Sequence, residues 1–447
     1  MGRPMLDKAK FFEDLGYAPH PGQLEVHLAT EPRRVVACGV RWGKTVCAAM
    51  EGLAAAMQPN KKGSIGWVVG PTYDVADRVF LEIRVRALEH LQHRIVAIKE
   101  TERRIQLRNL AGGISEIRAK SAESEVSLLG EGLNWVILDE ASRLKPRIWQ
   151  EHISQRLIDK KGWALLISTP HGKGYYYDLF RRGQGSDPDW RSWNCPSWTN
   201  PLLDRGHIER QRTGMPERAF RQEYGGEFIE GSGSVFRYVR DCATGSFRDR
   251  QEGRRYYAGL DLGKIEDYTV LSVIDDKLNL VFVDRFRKQD WSIQVQRIKA
   301  GLERFGNPEV YVDSTGFGEP IYEQLRRDDV QALAYPFTQK SKAALIDNLA
   351  LMFEQKSITI PTPEVWPDGI DELEAFEYSV TEGGVVRTGA PGGGHDDIVI
   401  SLALAAWHRR PGYEPDEGMF GTPVLFIDGI PQDDPFAFST RRRADGA

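Results

Sequence analysis

From Arg33 to about Tyr224 short, almost wholly apolar runs alternate with helical stretches, and this alternation limits the possible folds more than any other feature of the chain. The runs are RRVVACG (33–39), GSIGWVVG (63–70), LNWVILDE (133–140) and WALLIST (163–169). Between them lie helical patterns such as TVCAAMEGLAAAM (45–57) and a segment from Val75 to His90. Strands that are apolar on both faces need helices over both faces, so the pattern predicts an α/β layer with a mostly parallel sheet. At 447 residues the chain exceeds what one core organises, which predicts at least two domains.

A different pattern begins beyond GGEFIEGSGSVFRY (225–238), whose four glycines and two serines suit a hinge. RRYYAGLDLG (254–263), YTVLSVIDD (268–276) and LNLVFVDRF (278–286) read as three strands with tight connections, hence an antiparallel meander. A helix near 291–305 then precedes the strand EVYVDSTG (309–316), with further helices near 318–327 and 340–355 and a last one from His395. Three antiparallel strands followed by βαβα is the layout of an RNase H-like domain. The expected division is 1–230, a linker at 231–252, a second domain at 253–411, and a loosely ordered tail at 412–447. Four scattered cysteines form no CxxC pair and read as reduced thiols of a cytoplasm. No run suits a signal peptide or a membrane span. The net charge of -5 argues against a constitutive nucleic-acid coat but not against transient grip by local basic patches.

CGVRWGKT (38–45) stands between a strand and a helix. Gly43 permits the tight turn that aims backbone N–H groups at phosphate oxygens. Lys44 would reach the β- and γ-phosphates of ATP, and Thr45 would ligate Mg²⁺. The usual pattern has glycine where this chain has Cys38, so alone the loop can also be an ordinary strand–turn–helix. WVILDEA (135–141) narrows the choice, because an apolar strand ending in two carboxylates is what such a loop needs. Asp139 would hold the Mg²⁺ and Glu140 would polarise the attacking water. Ser168-Thr169-Pro170 closes the next strand, where hydroxyls can sense the γ-phosphate. Gln23, in HPGQ, occupies the place where helicase-like motors read adenine edges, although a lone glutamine is as well explained by the surface. GPTYDVADRVF (70–80) lies where such motors carry a loop that touches nucleic acid.

The C-terminal half carries acidic residues at strand ends instead: Asp261, Asp313 and the pair Asp396-Asp397, about 50 and 80 residues apart. Adjacent strands and a helix N-terminus can bring these carboxylates together. Their mutual repulsion requires cations, which points to hydrolysis of phosphodiesters with two Mg²⁺ or Mn²⁺ ions. Asp267 could reach the same site, with His395 and Glu319 as weaker neighbours. Asp396 can also be read as a helix cap.

In order, PHPGQ, WGKT, VILDEA, STP, GLDLG, VDSTG and GGHDDIV span about residues 17–410 and resemble the large terminase subunits of tailed double-stranded DNA bacteriophages. The resemblance implies a helicase–translocase type (RecA-like, ASCE) P-loop ATPase domain joined to an RNase H-like nuclease. It implies ATP-driven translocation of double-stranded DNA through the portal protein into a prohead, and cutting of concatemeric DNA. It further implies the small terminase subunit as partner, self-association into a ring on the prohead, and no membrane. The setting is the host cytoplasm, with docking only transient and absence from the mature virion. Carried over by position, Lys44 and Thr45 bind phosphates and Mg²⁺, Asp139 the metal, and Glu140 the water. Arg41 makes a phosphate contact, and Asp261, Asp313, Asp396 and Asp397, with Asp267 as an additional acidic position, form the nuclease centre. Many relatives place an arginine before the glycine upstream of the WVILDEA strand, where this chain has Leu128-Leu129-Gly130. A trans-acting arginine is therefore not assigned by that motif, and Arg78, Arg118 and Arg143 are the candidates.

Two other readings remain open from sequence. A cellular helicase–nuclease of repair or recombination would normally carry a second motor lobe. A docking or scaffold protein would bind nucleotide without turnover and use Phe420, Phe426, Phe436 and Phe438 of the tail as a portal-binding peptide.

Overall fold

The structure is a computed structural model that describes residues 6–229, 233–263, 268–287, 291–315, 319–380, 386–390 and 395–410. Two helices, α1 (Lys8–Asp14) and α2 (Pro21–Leu28), precede the first strand. Asp7 starts α1 by accepting from the Ala9 and Lys10 N–H groups, and Pro21 opens α2 where a missing N–H is harmless. There follow β1 (Arg33–Cys38), α3 (Lys44–Met57), β2 (Ile65–Gly70), α4 (Tyr73–His90), β3 (Ile95–Lys99), β4 (Arg104–Arg108) and β5 (Ile114–Ser121). Next are β6 (Trp135–Asp139), β7 (Trp163–Ser168), α5 (Tyr175–Gln184), β8 (Trp190–Cys195), α6 (Arg205–Thr213) and α7 (Glu217–Glu223).

These eight strands form one sheet in the order β3-β4-β5-β2-β6-β7-β1-β8. From β5 to β8 every neighbouring pair is parallel, as the apolar runs predict. β3 and β4 add an antiparallel extension at one edge. The sequence reading does not contain β3, β4 or β5, nor β8 at the other edge; β4 (RIQLR) and β5 (ISEIRAKS) mix apolar with polar and charged residues, and β3 (IVAIK) is short with no fully buried position. Leu53, Met50 and Ile83 of α3 and α4 fill one face of the sheet, and Leu138, Trp149 and Tyr176 fill the other.

The second half begins with β9 (Gly233–Ser234), the one-turn helix α8 (Val239–Cys242) and β10 (Ala243–Gly245). Then come β11 (Tyr256–Asp261), β12 (Thr269–Asp275), β13 (Leu280–Phe286), α9 (Trp291–Glu303), β14 (Val310–Asp313), α10 (Glu319–Arg327), β15 (Ala332–Tyr335) and α11 (Gln339–Glu354). The chain continues through β16 (Ile360–Pro361), α12 (Pro367–Ala375), β17 (Glu377–Val380), β18 (Val386–Gly389) and α13 (Asp397–Trp407). The main sheet runs β13-β12-β11-β14-β15, antiparallel across the first three strands and parallel across the rest. This is the RNase H-like layout expected, completed by β15, a four-residue strand too short to stand out in the sequence.

The glycine-rich stretch 225–238 is not bare where it is described. Ser234 pairs with Glu377 of β17, and Val235 and Phe236 are buried among Phe353 and Phe376. The two halves also touch directly. The Glu217 N–H donates to Glu354 Oε2 at 3.0 Å, Gln355 Nε2 donates to Thr213 O at 3.0 Å, and the Arg218 guanidinium lies over the Tyr378 ring.

Candidate active sites

In a parallel sheet, ligands bind beyond the C-terminal ends of the strands, and the first cluster forms where β1, β6 and β7 end. Gly43, at φ +100, is the N-cap of α3, so the chain turns through a left-handed residue directly into Lys44 and Thr45. A Cβ at this position would also lie 2.6 Å from Gln23 Nε2. Lys44 Nζ stands 3.3 Å from Glu140 Oε1 and donates to Thr169 Oγ1 at 3.3 Å. Thr45 is half-buried and Arg41 is exposed on the loop. The sequence-predicted residues of three separate segments are thus brought together.

Their electrostatics are strongly coupled. Burial and the adjoining Glu140 push the Asp139 carboxyl up to about 7, against the opposing pull of Lys44. Burial acts the same way on Glu140, but Lys44 and Arg143 outweigh it and hold this carboxylate below its ordinary value. Lys44 is raised in return: burial works downward and the neighbouring Glu140 overcomes it. Glu140 is also a side-chain-bearing residue at φ +47, a conformation that strains the backbone and turns its carboxylate back towards Lys44. Ser168 Oγ donates to Glu140 Oε2 at 3.2 Å, which links the STP turn to this carboxylate.

Gln23 is tied to the loop by its own protein partners. It is buried, its Oε1 accepts the His20 N–H at 3.1 Å, and its Nε2 donates to Gly43 O at 3.1 Å, so the amide faces the loop. The three arginine candidates differ in their surroundings. Arg118 pairs with Glu116 and Glu131, Arg143 contacts His171 and acts on Glu140 of its own chain, and Arg78 weakly opposes the rise of Asp139.

The second cluster lies at the end of β11. Asp261 ends that strand and Asp313 ends its parallel neighbour β14. α13 packs across β11 at Gly259, where an added Cβ would fall 2.2 Å from both Ser401 O and Ala405 N. Ser401 Oγ completes the contact by donating to Gly259 O at 2.9 Å. That crossing carries Asp396 and Asp397, at the start of α13, towards Asp261. Burial raises the Asp261 carboxyl well above its ordinary range, and Asp397, Asp396 and Asp313 raise it further, with Lys342 opposing. Among the described residues no group of three or more His, Cys, Asp or Glu side chains is placed to hold a metal ion, and the nearness of these carboxylates shows in the rise of Asp261 alone. Four mutually repelling carboxylates are the hard oxygen donors that Mg²⁺ or Mn²⁺ takes, and the donor set fits such ions. Asp267 lies outside the described residues, as does the side chain of Glu319. His395 is exposed, with Nδ1 3.5 Å from Asp397 Oδ2.

Asp396 makes no side-chain cap on α13. Glu372 does so instead, its Oε1 accepting the Ile398 and Val399 N–H groups at 2.7 and 3.1 Å. Glu372 and Lys342, whose Nζ lies 3.1 Å from Asp396 Oδ2, escaped the sequence reading because no local pattern ties either to a site formed by a later helix.

An ATP-binding loop with two carboxylates on one sheet, and an acidic RNase H-like centre on the next, define a joined ATPase and nuclease. A family model described as "Terminase large subunit, T4likevirus-type, N-terminal" matches residues 36–240, and one described as "Terminase RNaseH-like domain" matches 258–408. The large terminase subunit of Thermus virus P23-45 is 35% identical over 450 residues, covering 91% of this chain and 91% of the relative. That of Escherichia phage T5 is 26% identical over 393 residues, covering 82% and 85%. A large terminase solved from a thermophilic bacteriophage shares the fold, with a TM-score of 0.59 at 13% identity over 87% of this chain and 98% of that one. The chain belongs to the large terminase subunit family of tailed phages. It is an ATPase and a metal-dependent endonuclease of viral genome packaging. That membership accounts for both sites on one chain and sets aside the helicase–nuclease and scaffold readings.

Proposed function

We propose that Mg·ATP binds at the end of β1 and that DNA is cut at the end of β11. The corresponding division of the chain is an ATPase domain at 1–230, a connecting segment at 231–252, a nuclease domain at 253–411 and a tail at 412–447. The observations that carry this reading are Lys44 against Glu140 at the end of β6, and Asp261 and Asp313 at the ends of adjacent parallel strands, with Asp396 and Asp397 near enough to raise the Asp261 carboxyl.

In the first site Lys44 and Arg41 neutralise phosphate charge, and Thr45 and Asp139 hold the Mg²⁺. Glu140, kept ionised by Lys44, accepts a proton from the attacking water. Ser168 and Thr169 register the γ-phosphate through Glu140 and Lys44. Gln23 contributes through Gly43. In the second site Asp261, Asp313, Asp396 and Asp397, with Asp267, hold two Mg²⁺ or Mn²⁺ ions. When bound, the ions supply charge neutralisation at the phosphates and an activated water for phosphodiester cleavage. Lys342 balances the acidic cluster from the side of α11.

The same reading supplies the partners: double-stranded DNA, the portal protein, the small terminase subunit, and further copies of this chain in a ring on the prohead. The chain works in the host cytoplasm and docks transiently. No helix among the described residues is long and apolar enough to cross a membrane.

The test separates the two activities in the full chain. Lys44→Ala is expected to abolish ATP turnover in the presence of DNA and proheads while sparing Mn²⁺-dependent plasmid cleavage. Asp261→Ala and Asp313→Ala are expected to do the reverse. Cleavage that survives either aspartate substitution overturns the nuclease site.

A further inference from the structure

A loop that binds phosphates through its N–H groups must turn its carbonyls outward, and those carbonyls need partners. Here four consecutive carbonyls each meet a different side chain. The Ser197 hydroxyl donates to Val40 O, and Asn200 Nδ2 donates to Arg41 O at 3.0 Å. His20 Nε2, as the N–H tautomer, donates to Trp42 O at 3.0 Å, and Gln23 Nε2 donates to Gly43 O. His20 and Gln23 belong to the start of α2. Ser197 and Asn200 belong to a single turn after β8, a segment that no motif singles out.

That turn is itself fastened. The Ser197 N–H donates to Tyr224 O, the Asn200 N–H donates to Ser197 O, and Trp42 Nε1 donates to Thr199 Oγ1. Ser197 and Asn200 are both buried, at 0% and 7% exposure, so their bonds to the loop do not compete with solvent. The loop needs such support. Arg41 stands at φ +59, a left-handed backbone that disfavours a residue with a side chain, where phosphate loops commonly use glycine.

We infer that Ser197 and Asn200 are positioning residues of the nucleotide site. They hold the Val40 and Arg41 carbonyls away from the phosphates and stabilise the left-handed turn at Arg41, so that side-chain hydrogen bonds do for this loop what glycines do in a glycine-rich one. The inference rests on the ATP-site reading above.

The experiment titrates Mg·ADP into the full chain and into Asn200→Ala, Arg41→Gly and the double variant. Asn200→Ala is expected to weaken binding about tenfold (~1.4 kcal/mol). Glycine adopts the left-handed turn without help, so in the Arg41→Gly background the same substitution is expected to cost less than about threefold. Asn200→Asp, which keeps the shape and loses the donor, is expected to behave as Asn200→Ala. Unchanged affinity in Asn200→Ala overturns the inference. An equal loss in both backgrounds also overturns it, because that is the result of general packing damage. Should Asn200→Ala not fold, Ser197→Ala supplies the decision: weakened Mg·ADP binding supports the inference and unchanged binding overturns it. If Lys44→Ala binds Mg·ADP as the unaltered chain does, the ATP-site reading itself fails and the inference with it.

Discussion

Replacing Gly259 with alanine tests how the nuclease centre is assembled. The added Cβ would lie 2.2 Å from Ser401 O and from Ala405 N, both backbone atoms of α13. Non-bonded heavy atoms settle at about 3.5–4.0 Å, so the helix must retreat by roughly 1 Å or more. The hydrogen bond from Ser401 Oγ to Gly259 O, 2.9 Å long, is then stretched beyond useful range. Its loss costs about 1 kcal/mol, and repacking the overfilled contact adds ~1–3 kcal/mol. Four residues before Ser401, the same helix begins with Asp397, so the retreat also moves that carboxylate away from Asp261. A misplacement of this size costs a catalytic centre about 100-fold in rate. The assay is Mn²⁺-dependent plasmid cleavage beside thermal unfolding, with ATP turnover as the internal control because its loop lies on the other sheet. Cleavage is expected to fall about 100-fold while ATP turnover holds. Full cleavage accompanied by a clear loss of stability would refute the reasoning, since the carboxylates would then not depend on this crossing.

Three further outcomes follow from other sites. Buried Glu51 binds Arg34, His27 and Lys8 at 2.8 Å each. Burial works to raise its carboxyl, but Arg34, the His27 hydrogen bond and Lys8 overcome this and hold it far below its ordinary value of 4.5. Its stabilisation is therefore complete above pH 4.5 and is lost as pH falls toward the folded value. His27, depressed from 6.5 by burial, adds a loss in the same direction below that pH. The unfolding temperature should thus fall steadily from pH 7 to pH 4, and Glu51→Gln should lower it at pH 7 by an amount worth ~3–5 kcal/mol, since Arg34 and Lys8 lose their counter-charge. A flat pH series would contradict this. Ser168→Ala removes the hydroxyl that holds Glu140 Oε2 and is expected to leave Mg·ADP binding intact while lowering turnover about tenfold, read by steady-state kinetics. Lys342→Ala leaves the four carboxylates less compensated, so it should lower the unfolding temperature without divalent ions, and Mn²⁺ should close the gap; a gap that persists would show Lys342 acting through packing alone.

Much of the fold was legible because the strands of the ATPase sheet are buried on both faces and read as unbroken apolar runs. β4 and β5 were not legible, since Arg104, Glu116 and Arg118 interrupt their apolar pattern with charge, and β3 is a five-residue edge strand with no fully buried position. Lys44, Asp139, Glu140, Asp261 and Asp313 could be proposed from sequence because strand ends and a strand–turn–helix loop announce themselves locally. Residues that act across long sequence distances carry no such signal. Glu372 caps a helix that begins 25 residues later, and Asn200 supports a loop 159 residues earlier. Gln23 was noticed for its position, but its partner, Gly43 O, is a backbone atom that no side-chain motif records.

The crossing of α13 over β11 also sets a timetable for the newly made chain. Every group that shapes the nucleotide loop, from His20 to Tyr224, has been synthesised by the middle of translation. The acidic centre has to wait for Asp396 and Asp397, and for the helix that delivers them to Asp261. At about 5–20 residues per second, the roughly 170 residues in between occupy ~10–35 s. A nascent or prematurely ended chain therefore holds the parts of the proposed ATP site while the proposed cutting site is still incomplete.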